Sequence, residues 1–312
     1  MSIPDEFDAV ACSLEADTKQ KYTALLTDFE KSLESYWKFE TVDGMFKQSD
    51  DSTDEYKFDY LKEDFGRLLS WEETFAKLDE LNSNAPANEC YKVFFLARHG
   101  QGYHNLANST YGNKEWYRKW SELNGDGKIV WGPDPELTEL GVSQARDNAH
   151  VWAEQVKKGV KLPTVWFSSP FRRSADTLIN TWESFVDIST IKPLIMEDFR
   201  ETIGVHTCDK RSPRSVIAAK YEHLGFVIED GFEEEDVYWK PDYRETIEEH
   251  GIRTNRAFQH IFNNCEDEVV SITSHSGAIR AQLLVLNHRP FSIGTGGMIP
   301  VVVKGTKYEK GE

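Results

Sequence analysis

The chain lacks an apolar run long enough to cross a bilayer, and it has few cysteines. The cysteines are scattered without the spacing of a metal site, which predicts free thiols in a reducing compartment. They are Cys12, Cys90, Cys208 and Cys265. The first eight residues are acidic, with no apolar segment behind a basic flank, so the sequence predicts no secretory signal. We therefore expect a cytoplasmic protein, with the nucleus as an alternative compartment.

Positive charge is also scarce. The 312 residues include 36 Lys and Arg against 53 Asp and Glu, which gives a formal net charge of −17. Such a surface repels nucleic acid and anionic membranes, so we expect neither as a partner. An anionic small molecule would need a locally positive pocket set within this negative body.

The charge deficit is concentrated at the start of the chain. Residues 1–90 hold 22 Asp and Glu but nine Lys and Arg. We interpret them as an acidic, aromatic extension that wraps a catalytic domain at residues 91–312. Within that domain, residues 204–245 are charged and irregular, which predicts an insertion above the ends of the strands.

The extension itself has several predicted parts. Residues 1–17 are predicted to be loose, and residues 18–36 carry an apolar stripe typical of an amphipathic helix. Residues 37–69 are aromatic but interrupted, and we interpret them as an arm that lays its rings on another surface. Ser70 and Glu73 form a capping box, which predicts that a second helix begins there.

After residue 91 the pattern alternates between strands and helices. The predicted strands are residues 92–97, 164–167, 194–196, 268–273 and 300–304. The predicted helices are residues 141–158, 175–186 and 247–262, with a last one starting near residue 276. This alternation predicts an α/β fold, a three-layer αβα sandwich with a mostly parallel central sheet.

Charged and nucleophilic side chains follow these strands. Arg98 and His99 end the first strand, Arg173 follows the second, and His275 follows the late strand. Glu201 adds a carboxylate after the short strand. Because the carboxyl ends of parallel strands meet at one edge of a sheet, we expect these groups to converge on an anion, most simply a phosphate.

Four blocks of sequence carry a resemblance to a known family. They are Arg98-His99-Gly100 with Asn105, residues 137–145, residues 169–177, and Ser274-His275-Ser276-Gly277. In this order they are similar to the histidine phosphatase superfamily, which has the phosphoglycerate mutase-like fold, over about residues 92–304. Residues 199–211 and 236–245 resemble the phosphomutase-like proteins of fungi and plants, and the aromatic arm resembles the fungal members.

The resemblance implies phosphate transfer, and side-chain chemistry suggests how the parts act. A neutral His99 can attack phosphorus through one ring nitrogen if a carbonyl holds the other. Arg98 and Arg173 would form charge-assisted hydrogen bonds to the phosphoryl group, and His275 would supply a further donor. Glu201 is the expected proton donor to the leaving alkoxide and later the base that activates water.

Other residues are candidates for smaller roles. Asn105 could bind phosphate or orient the nucleophile, and Ser276 begins a helix whose backbone N–H groups could bind phosphate. Gln101, His206 and Arg211 are candidates for substrate binding; the basic residues among them either bind a second anionic group or belong to a solvated loop. With this many cations we expect no metal and no other cofactor.

Alternatives stay open at this point. Glu201 could instead pair with a cation such as Arg200. Gly102 stands where many family members carry a hydroxyl or carboxylate, and the basic insertion of glycolytic mutases is not evident. Both departures favour a phosphatase of small phosphorylated metabolites over a mutase. A non-catalytic phosphate-binding relative is the other alternative, and the complete set of Arg98, His99, Arg173, Glu201 and His275 argues against it. Cys208 and Arg214 have the spacing of cysteine-dependent phosphatases, but no preceding strand or glycine accompanies it, so we interpret the spacing as coincidence. The sequence names neither the substrate nor the oligomeric state.

Overall fold

The computed structural model describes residues 3–5, 8 and 15–310, and a seven-stranded sheet lies at the centre of this described part. The strands are β1 (Ser35–Thr41), β2 (Glu89–Arg98), β3 (Val165–Ser168), β4 (Leu194–Ile195), β5 (Val227–Ile228), β6 (Val269–Ser274) and β7 (Met298–Glu309). Their order across the sheet is β1-β7-β2-β6-β3-β4-β5. The five strands from β2 to β5 in this order are parallel, and β7 is antiparallel to both β1 and β2. The predicted α/β fold with a mostly parallel sheet is confirmed.

Helices cover both faces of the sheet. In chain order they are α1 (Thr18–Lys31), α2 (Trp71–Asn84), α3 (Tyr103–Tyr111), α4 (Asn113–Arg118), α5 (Glu139–Lys157), α6 (Arg172–Trp182), α7 (Ile188–Ile191), α8 (Arg214–Tyr221), α9 (Ile247–Asn264) and α10 (Ser276–Val285). On β2, the ring of Phe94 packs against Phe258 of α9, and the ring of Phe95 packs against Trp152 of α5. Because successive residues of a strand point to opposite faces, α9 and α5 form separate layers around the sheet.

The register of the central strands brings their carboxyl ends to one edge. Arg98 at the end of β2 lies beside Ser274 at the end of β6, and Ser168 at the end of β3 pairs with the residue before Ser274. The residues that follow Arg98 and Ser274 are His99 and His275. Two histidines that are far apart in the sequence are therefore adjacent at the edge where ligands bind in α/β sheets.

The extension contributes a strand that the sequence analysis did not predict. The helix predicted for residues 18–36 ends at Lys31, and β1 follows as an edge strand paired with β7. Its burial alternates: Trp37 and Phe39 are buried against Phe262 of α9, whereas the residues after each of them are exposed. The helical interpretation of residues 32–36 was therefore wrong, because the apolar positions there continue into a pattern with the period of a strand.

The rest of the extension packs on the opposite layer. Phe65 is fully buried, with its ring 5.0 Å from the ring of Trp152. The predicted capping box is confirmed at the start of α2, where Ser70 Oγ accepts from the backbone N–H of Glu73 and the Glu73 carboxylate accepts from the N–H of Ser70. Cys12 and most of the segment predicted to be loose lie outside the described residues.

The predicted insertion at residues 204–245 is more regular than expected. It contains α8 and β5, and β5 extends the sheet because Val227 pairs with Leu194 of β4. The part before α8 returns to the carboxyl ends of the strands, where it forms one wall of the site described below. Within the described ranges, each helix is too short or too polar to traverse a bilayer.

Candidate active site

A cavity of about 430 Å³ opens at the carboxyl ends of β2 and β6. The residues predicted for the site that line it are Arg98, His99, Gln101, Asn105, Glu201, His206 and Ser276. Arg173 and His275 lie behind His99 at the inner wall of the cavity. Arg173 donates to His99, and the ring centroids of His99 and His275 are 5.0 Å apart. The tertiary structure therefore gathers the groups that the sequence analysis placed at separate strand ends.

The imidazole of His99 is held in one orientation. Its Nδ1 lies 2.6 Å from the carbonyl oxygen of Gly100, so Nδ1 carries the proton and donates it, and Nε2 keeps a lone pair. Burial, with the charges of Arg173 and Arg98, lowers the pKa of His99 well below its usual value. Gly100 is required here because a Cβ would lie 2.2 Å from the carbonyl oxygen of Gly141. The result is a neutral imidazole with a fixed nucleophilic nitrogen.

Arg173, in the first turn of α6, bridges the two histidines. Its Nε donates to Nε2 of His99 at 3.3 Å and to Nδ1 of His275 at 3.2 Å. The rest of the guanidinium donates to the carbonyl oxygen of Cys208 at 3.0 Å and to the Asp209 carboxylate at 3.3 Å. Four groups thus fix one planar cation between two imidazoles, which is an arrangement suited to a tetrahedral anion.

The other nitrogen of His275 points away from the cavity. Its Nε2 lies 2.7 Å from the hydroxyl of Ser169 and 3.3 Å from that of Ser174. Because Nδ1 accepts from Arg173, the ring proton of the neutral form resides on Nε2. Burial and the neighbouring Arg173 lower the pKa of His275 well below its usual value. The negative charge of a phosphate dianion in the cavity would instead favour the protonated form of His275, in which Nδ1 also carries a hydrogen and can donate it to the phosphate.

Glu201 lies at the N-terminus of α10. Its Oε2 accepts from the backbone N–H of Gly277 at 3.1 Å, and its Oε1 accepts from the backbone N–H of Thr202 at 2.8 Å and the Thr202 hydroxyl at 3.1 Å. The alternative of an ion pair with Arg200 does not hold, because that guanidinium is bonded to Glu197 and Asp236. Glu201 is instead one of the residues that line the cavity.

The loop after β2 orders the next part of the wall. Asn105 Oδ1 accepts from the backbone N–H of Gly102 at 2.9 Å, so Asn105 caps α3 in addition to lining the cavity. The Gln101 side chain accepts from the Thr138 hydroxyl at 2.8 Å, which links this loop to the start of α5. Ser276, as predicted, is the first residue of α10 and lines the cavity.

Arg98 has a partner that no local pattern indicated. Its Nη1 donates to the carbonyl oxygen of Ile293 at 2.6 Å and to the carboxylate of Asp8. Asp5 also lines the cavity, and the two aspartates exchange backbone-to-carboxylate hydrogen bonds of 3.0 Å. Asp5 and Asp8 therefore lie in the same cavity as the predicted phosphate-binding arginine.

Two further charged residues of the site were missed by the sequence analysis. Arg244 lines the cavity and donates to the Asp209 carboxylate at 2.8 Å and to two carbonyl oxygens, those of Thr202 and Gly204. Asp209 in turn holds Arg173, so one carboxylate orients two guanidinium groups. Both residues lie in the two blocks that resemble the phosphomutase-like proteins, but that resemblance assigned no role to either of them, and their pairing depends on how the insertion folds back.

The candidates for a second anion site are only partly brought to the cavity. Arg211 is buried elsewhere, where it is bonded to Glu197 and to backbone carbonyls of residues 233–235; this differs from its predicted role in substrate binding. His206 lines the cavity, and its ring packs 5.5 Å from that of Tyr117. Burial and the charge of Arg244 lower its pKa to about 3, so it is neutral near pH 7 and provides no positive charge.

The surroundings of Cys208 and Asp209 argue against both a cysteine nucleophile and a metal site. Burial and the Asp209 carboxylate raise the pKa of the Cys208 thiol well above its usual value, so it is not a thiolate near neutral pH. Ligand atoms of His206, Cys208 and Asp209 lie within 4.8 Å of one another. However, the Asp209 carboxylate already binds Arg173 and Arg244, and two guanidinium groups would repel a cation there. This set does not fit a metal.

The chain is similar to a known family, to curated relatives and to a solved structure. Residues 94–295 match the family described as "Histidine phosphatase superfamily (branch 1)". The "Probable phosphoglycerate mutase" of Arthroderma benhamiae is 39% identical over 285 residues, which cover 85% of this chain and 84% of the relative. The "Probable phosphoglycerate mutase PMU1" of Saccharomyces cerevisiae is 36% identical over 272 residues, which cover 80% and 89%. Among solved structures, a mycobacterial glucosyl-3-phosphoglycerate phosphatase is similar, with a TM-score of 0.41 and 20% identity over 67% of this chain and 92% of that chain.

Proposed function

The chain belongs to branch 1 of the histidine phosphatase superfamily, and on that basis we propose that it hydrolyses small phosphomonoesters through a phosphohistidine at His99. One observation carries the proposal. Nδ1 of His99 donates to the Gly100 carbonyl, which leaves Nε2 unprotonated beside the Arg173 guanidinium. A nucleophile that faces a fixed cation is what attack on a phosphoryl group requires.

The reaction would proceed in two in-line steps. Nε2 of His99 forms a bond to phosphorus as the bond to the leaving oxygen breaks, and Glu201 gives its proton to that oxygen. Arg98, Arg173 and His275 bind the phosphoryl oxygens. Glu201, now a carboxylate, takes a proton from water, and the hydroxide oxygen displaces His99 from phosphorus. Phosphate leaves, and both His99 and Glu201 return to their starting protonation states.

The proposal includes no metal. The charge on the transferred group would be stabilised by Arg98 and Arg173, which are 4% and 0% exposed, so their hydrogen bonds act largely without competing water. The substrate would be a small phosphorylated metabolite, and the expected compartment is the cytoplasm. A cavity of about 430 Å³ would accept a metabolite in preference to a macromolecule.

A mutase is the second candidate, because the two fungal relatives are named as probable phosphoglycerate mutases. A mutase returns the phosphoryl group from the histidine to a second hydroxyl of the substrate, whereas a phosphatase gives it to water. Hydrolysis and transfer can be separated by incubating the enzyme with 3-phosphoglycerate and a bisphosphoglycerate primer. Net release of inorganic phosphate supports the phosphatase, and conversion to 2-phosphoglycerate without release supports the mutase.

A hydrolysis screen tests the main proposal. The full chain is assayed on a panel of phosphomonoesters with and without EDTA, with His99→Ala as the blank. We expect turnover that EDTA does not reduce, a loss of at least about a thousandfold in His99→Ala, and acid-labile phosphate on the wild-type chain. Retained activity in His99→Ala together with loss in Cys208→Ser would instead support a cysteine nucleophile. No hydrolysis across the panel would support a non-catalytic relative.

A further inference from the structure

Behind Glu201 lies a chain of buried polar groups that the reaction above does not use. The Thr202 hydroxyl is 3.1 Å from Oε1 of Glu201, and it is 3.4 Å from Nδ1 of His250 on α9. We propose that Thr202 and His250 are positioning residues that hold Glu201 in the orientation of a proton donor and decide which of its oxygens carries the proton. This inference rests on the proposed function, because it concerns the acid of that reaction.

The hydrogen bonds of Glu201 distinguish its two oxygens. Oε1 accepts both the backbone N–H and the hydroxyl of Thr202, which uses its two lone pairs. Oε2 accepts one hydrogen bond, from the N–H of Gly277, and keeps a lone pair. The transferable proton therefore resides on Oε2. Without the Thr202 hydroxyl, Oε1 would regain an open lone pair and the proton could occupy either oxygen.

The hydroxyl has one proton, and its direction follows from its neighbours. Since the proton is donated to Glu201, the oxygen must accept from His250, which requires the tautomer with hydrogen on Nδ1. The Glu245 carboxylate lies 3.7 Å from Nδ1 and favours the same tautomer. Burial and the charge of Arg253 lower the pKa of His250 to about 3, so the ring is neutral and has one proton to give. The donor order is therefore His250 to Thr202 to Glu201.

The backbone of this segment is fixed by a different group. The guanidinium of Arg253 donates to the carbonyl oxygens of residues 198, 200 and 201 at 2.8, 3.0 and 3.1 Å, and it binds both oxygens of Glu245 at 2.8 Å. Because these contacts involve the main chain, removal of the Thr202 hydroxyl leaves the backbone of Glu201 in place. What changes is the orientation and protonation of the carboxyl group alone.

Gly277 supports the same arrangement from the other side. A Cβ at this position would lie 2.1 Å from Oε1 of Glu201 and 2.8 Å from the Thr202 hydroxyl oxygen. The carboxyl group and the hydroxyl therefore sit directly on the start of α10, where any side chain would displace them. The charge of Glu201 also acts on His206, Arg244 and Tyr117, which line the same cavity.

The test compares substrates that differ in their need for an acid. p-Nitrophenyl phosphate has a leaving group that departs without a proton, whereas glycerol phosphate releases an alkoxide that must be protonated. In Thr202→Val we expect kcat/KM to fall about 10- to 50-fold for glycerol phosphate and less than about threefold for p-nitrophenyl phosphate. Thr202→Ser, which keeps the hydroxyl, should restore the wild-type ratio.

Two further variants make the comparison specific. Thr254→Val is the matched control, because its hydroxyl is buried on the same α9 helix and has no hydrogen-bond partner within the described part of the chain. It should leave both substrates unaffected. His250→Asn keeps a donor near the position of Nδ1 and should retain most of the glycerol phosphate activity. His250→Leu removes the donor that orients the Thr202 hydroxyl, so the glycerol phosphate activity should fall, but by less than in Thr202→Val, in which the bond to Oε1 is lost altogether.

The ratio of the two substrates also defines the result that would overturn the inference. A purely structural effect of Thr202→Val would lower kcat/KM equally for glycerol phosphate and p-nitrophenyl phosphate, whereas loss of a positioned acid affects only the substrate that releases an alkoxide. Equal losses on both substrates would overturn the inference. The proposed function fails separately, if His99→Ala remains active.

Discussion

The carboxylate of Asp8 accepts a hydrogen bond from Nη1 of Arg98, 90 residues later in the chain, inside the cavity that contains His99. Both side chains are largely buried, at 7% and 4% exposure. A carboxylate in that place meets the same guanidinium that the proposed mechanism assigns to the phosphoryl oxygens. The Asp8 carboxylate and a bound phosphate would therefore compete for the guanidinium of Arg98.

Asp8→Asn should strengthen the binding of phosphate. Loss of the competing negative charge should lower the inhibition constant for inorganic phosphate, and the KM of the substrate, by about threefold to tenfold, which corresponds to about 1 kcal/mol. The measurement is product inhibition at constant ionic strength. Asp28→Asn, at an exposed aspartate paired with Lys31, is the control and should change neither constant. If Asp8→Asn instead weakens phosphate binding, the carboxylate orients Arg98 and does not compete.

Arg173→Lys should reduce turnover although it keeps the charge. The guanidinium contacts both histidines, the Cys208 carbonyl and Asp209 at once, and a single ammonium group cannot reproduce that geometry. We expect kcat to fall by about 10²- to 10³-fold. Arg172→Lys, one position earlier on α6, is the matched control, since Arg172 is bonded to residues 134 and 136. Similar losses in the two variants would show that the effect is structural.

Folding stability should decrease as the pH falls below 6.5. Burial lowers the pKa values of four histidines, of which His99, His250 and His275 are buried and His104 is half-buried at the cavity wall. Below pH 6.5 the unfolded chain binds protons that the folded chain excludes, which costs up to about 1.4 kcal/mol per pH unit and histidine. Burial raises the pKa of Glu229 to about 7, so protonation of this one group stabilises the folded chain as the pH falls. This effect opposes that of the four histidines but is smaller than their sum.

Urea unfolding at pH 7.5, 6.5 and 5.5 measures this effect. We expect the free energy of unfolding to be nearly constant between the first two values and then to fall by at least about 2 kcal/mol between pH 6.5 and 5.5. A free energy of unfolding that stays level down to pH 5.5 would mean that these imidazoles are hydrated and able to take up protons in the folded protein.

Phe65→Ala tests whether the N-terminal extension is part of the main core. Phe65 is fully buried between the extension and the central layers, with its ring 5.0 Å from Trp152 and 6.3 Å from Phe95. Its truncation should lower the free energy of unfolding by about 3–5 kcal/mol. Leu68→Ala, at a residue that is 50% exposed, should cost less than about 1 kcal/mol. A small effect of Phe65→Ala would indicate that the extension folds separately.

Several features of the site were predictable because they depend on local pattern and on one rule of topology. A buried strand that ends in Arg98 and His99 can be recognised from its apolar run, and the same holds for the strand before His275. The carboxyl ends of parallel strands converge, so a site at their common edge follows without knowledge of the side-chain contacts. The capping box at Ser70 depends on residues three apart and was equally accessible.

Other features depend on contacts between distant parts of the chain. β1 was not predictable because its apolar positions follow a helical stripe without a clear break, and its strand conformation depends on pairing with β7. Arg211 was a candidate for substrate binding because it follows Glu201 in the insertion, with a solvated basic loop as the alternative. In the structure that guanidinium is enclosed by backbone carbonyls and Glu197, an environment created by the fold of the insertion.

By itself, the sequence determined the α/β alternation, the family resemblance and the residues that end the central strands, since each is encoded within a short stretch. Only the tertiary structure decided that Asp8 meets Arg98, that Arg173 bridges His99 and His275, and that Thr202 links Glu201 to His250. Those pairs are selected by packing and by the need of each buried polar group for a partner, and this need is met by whichever segment the fold brings near.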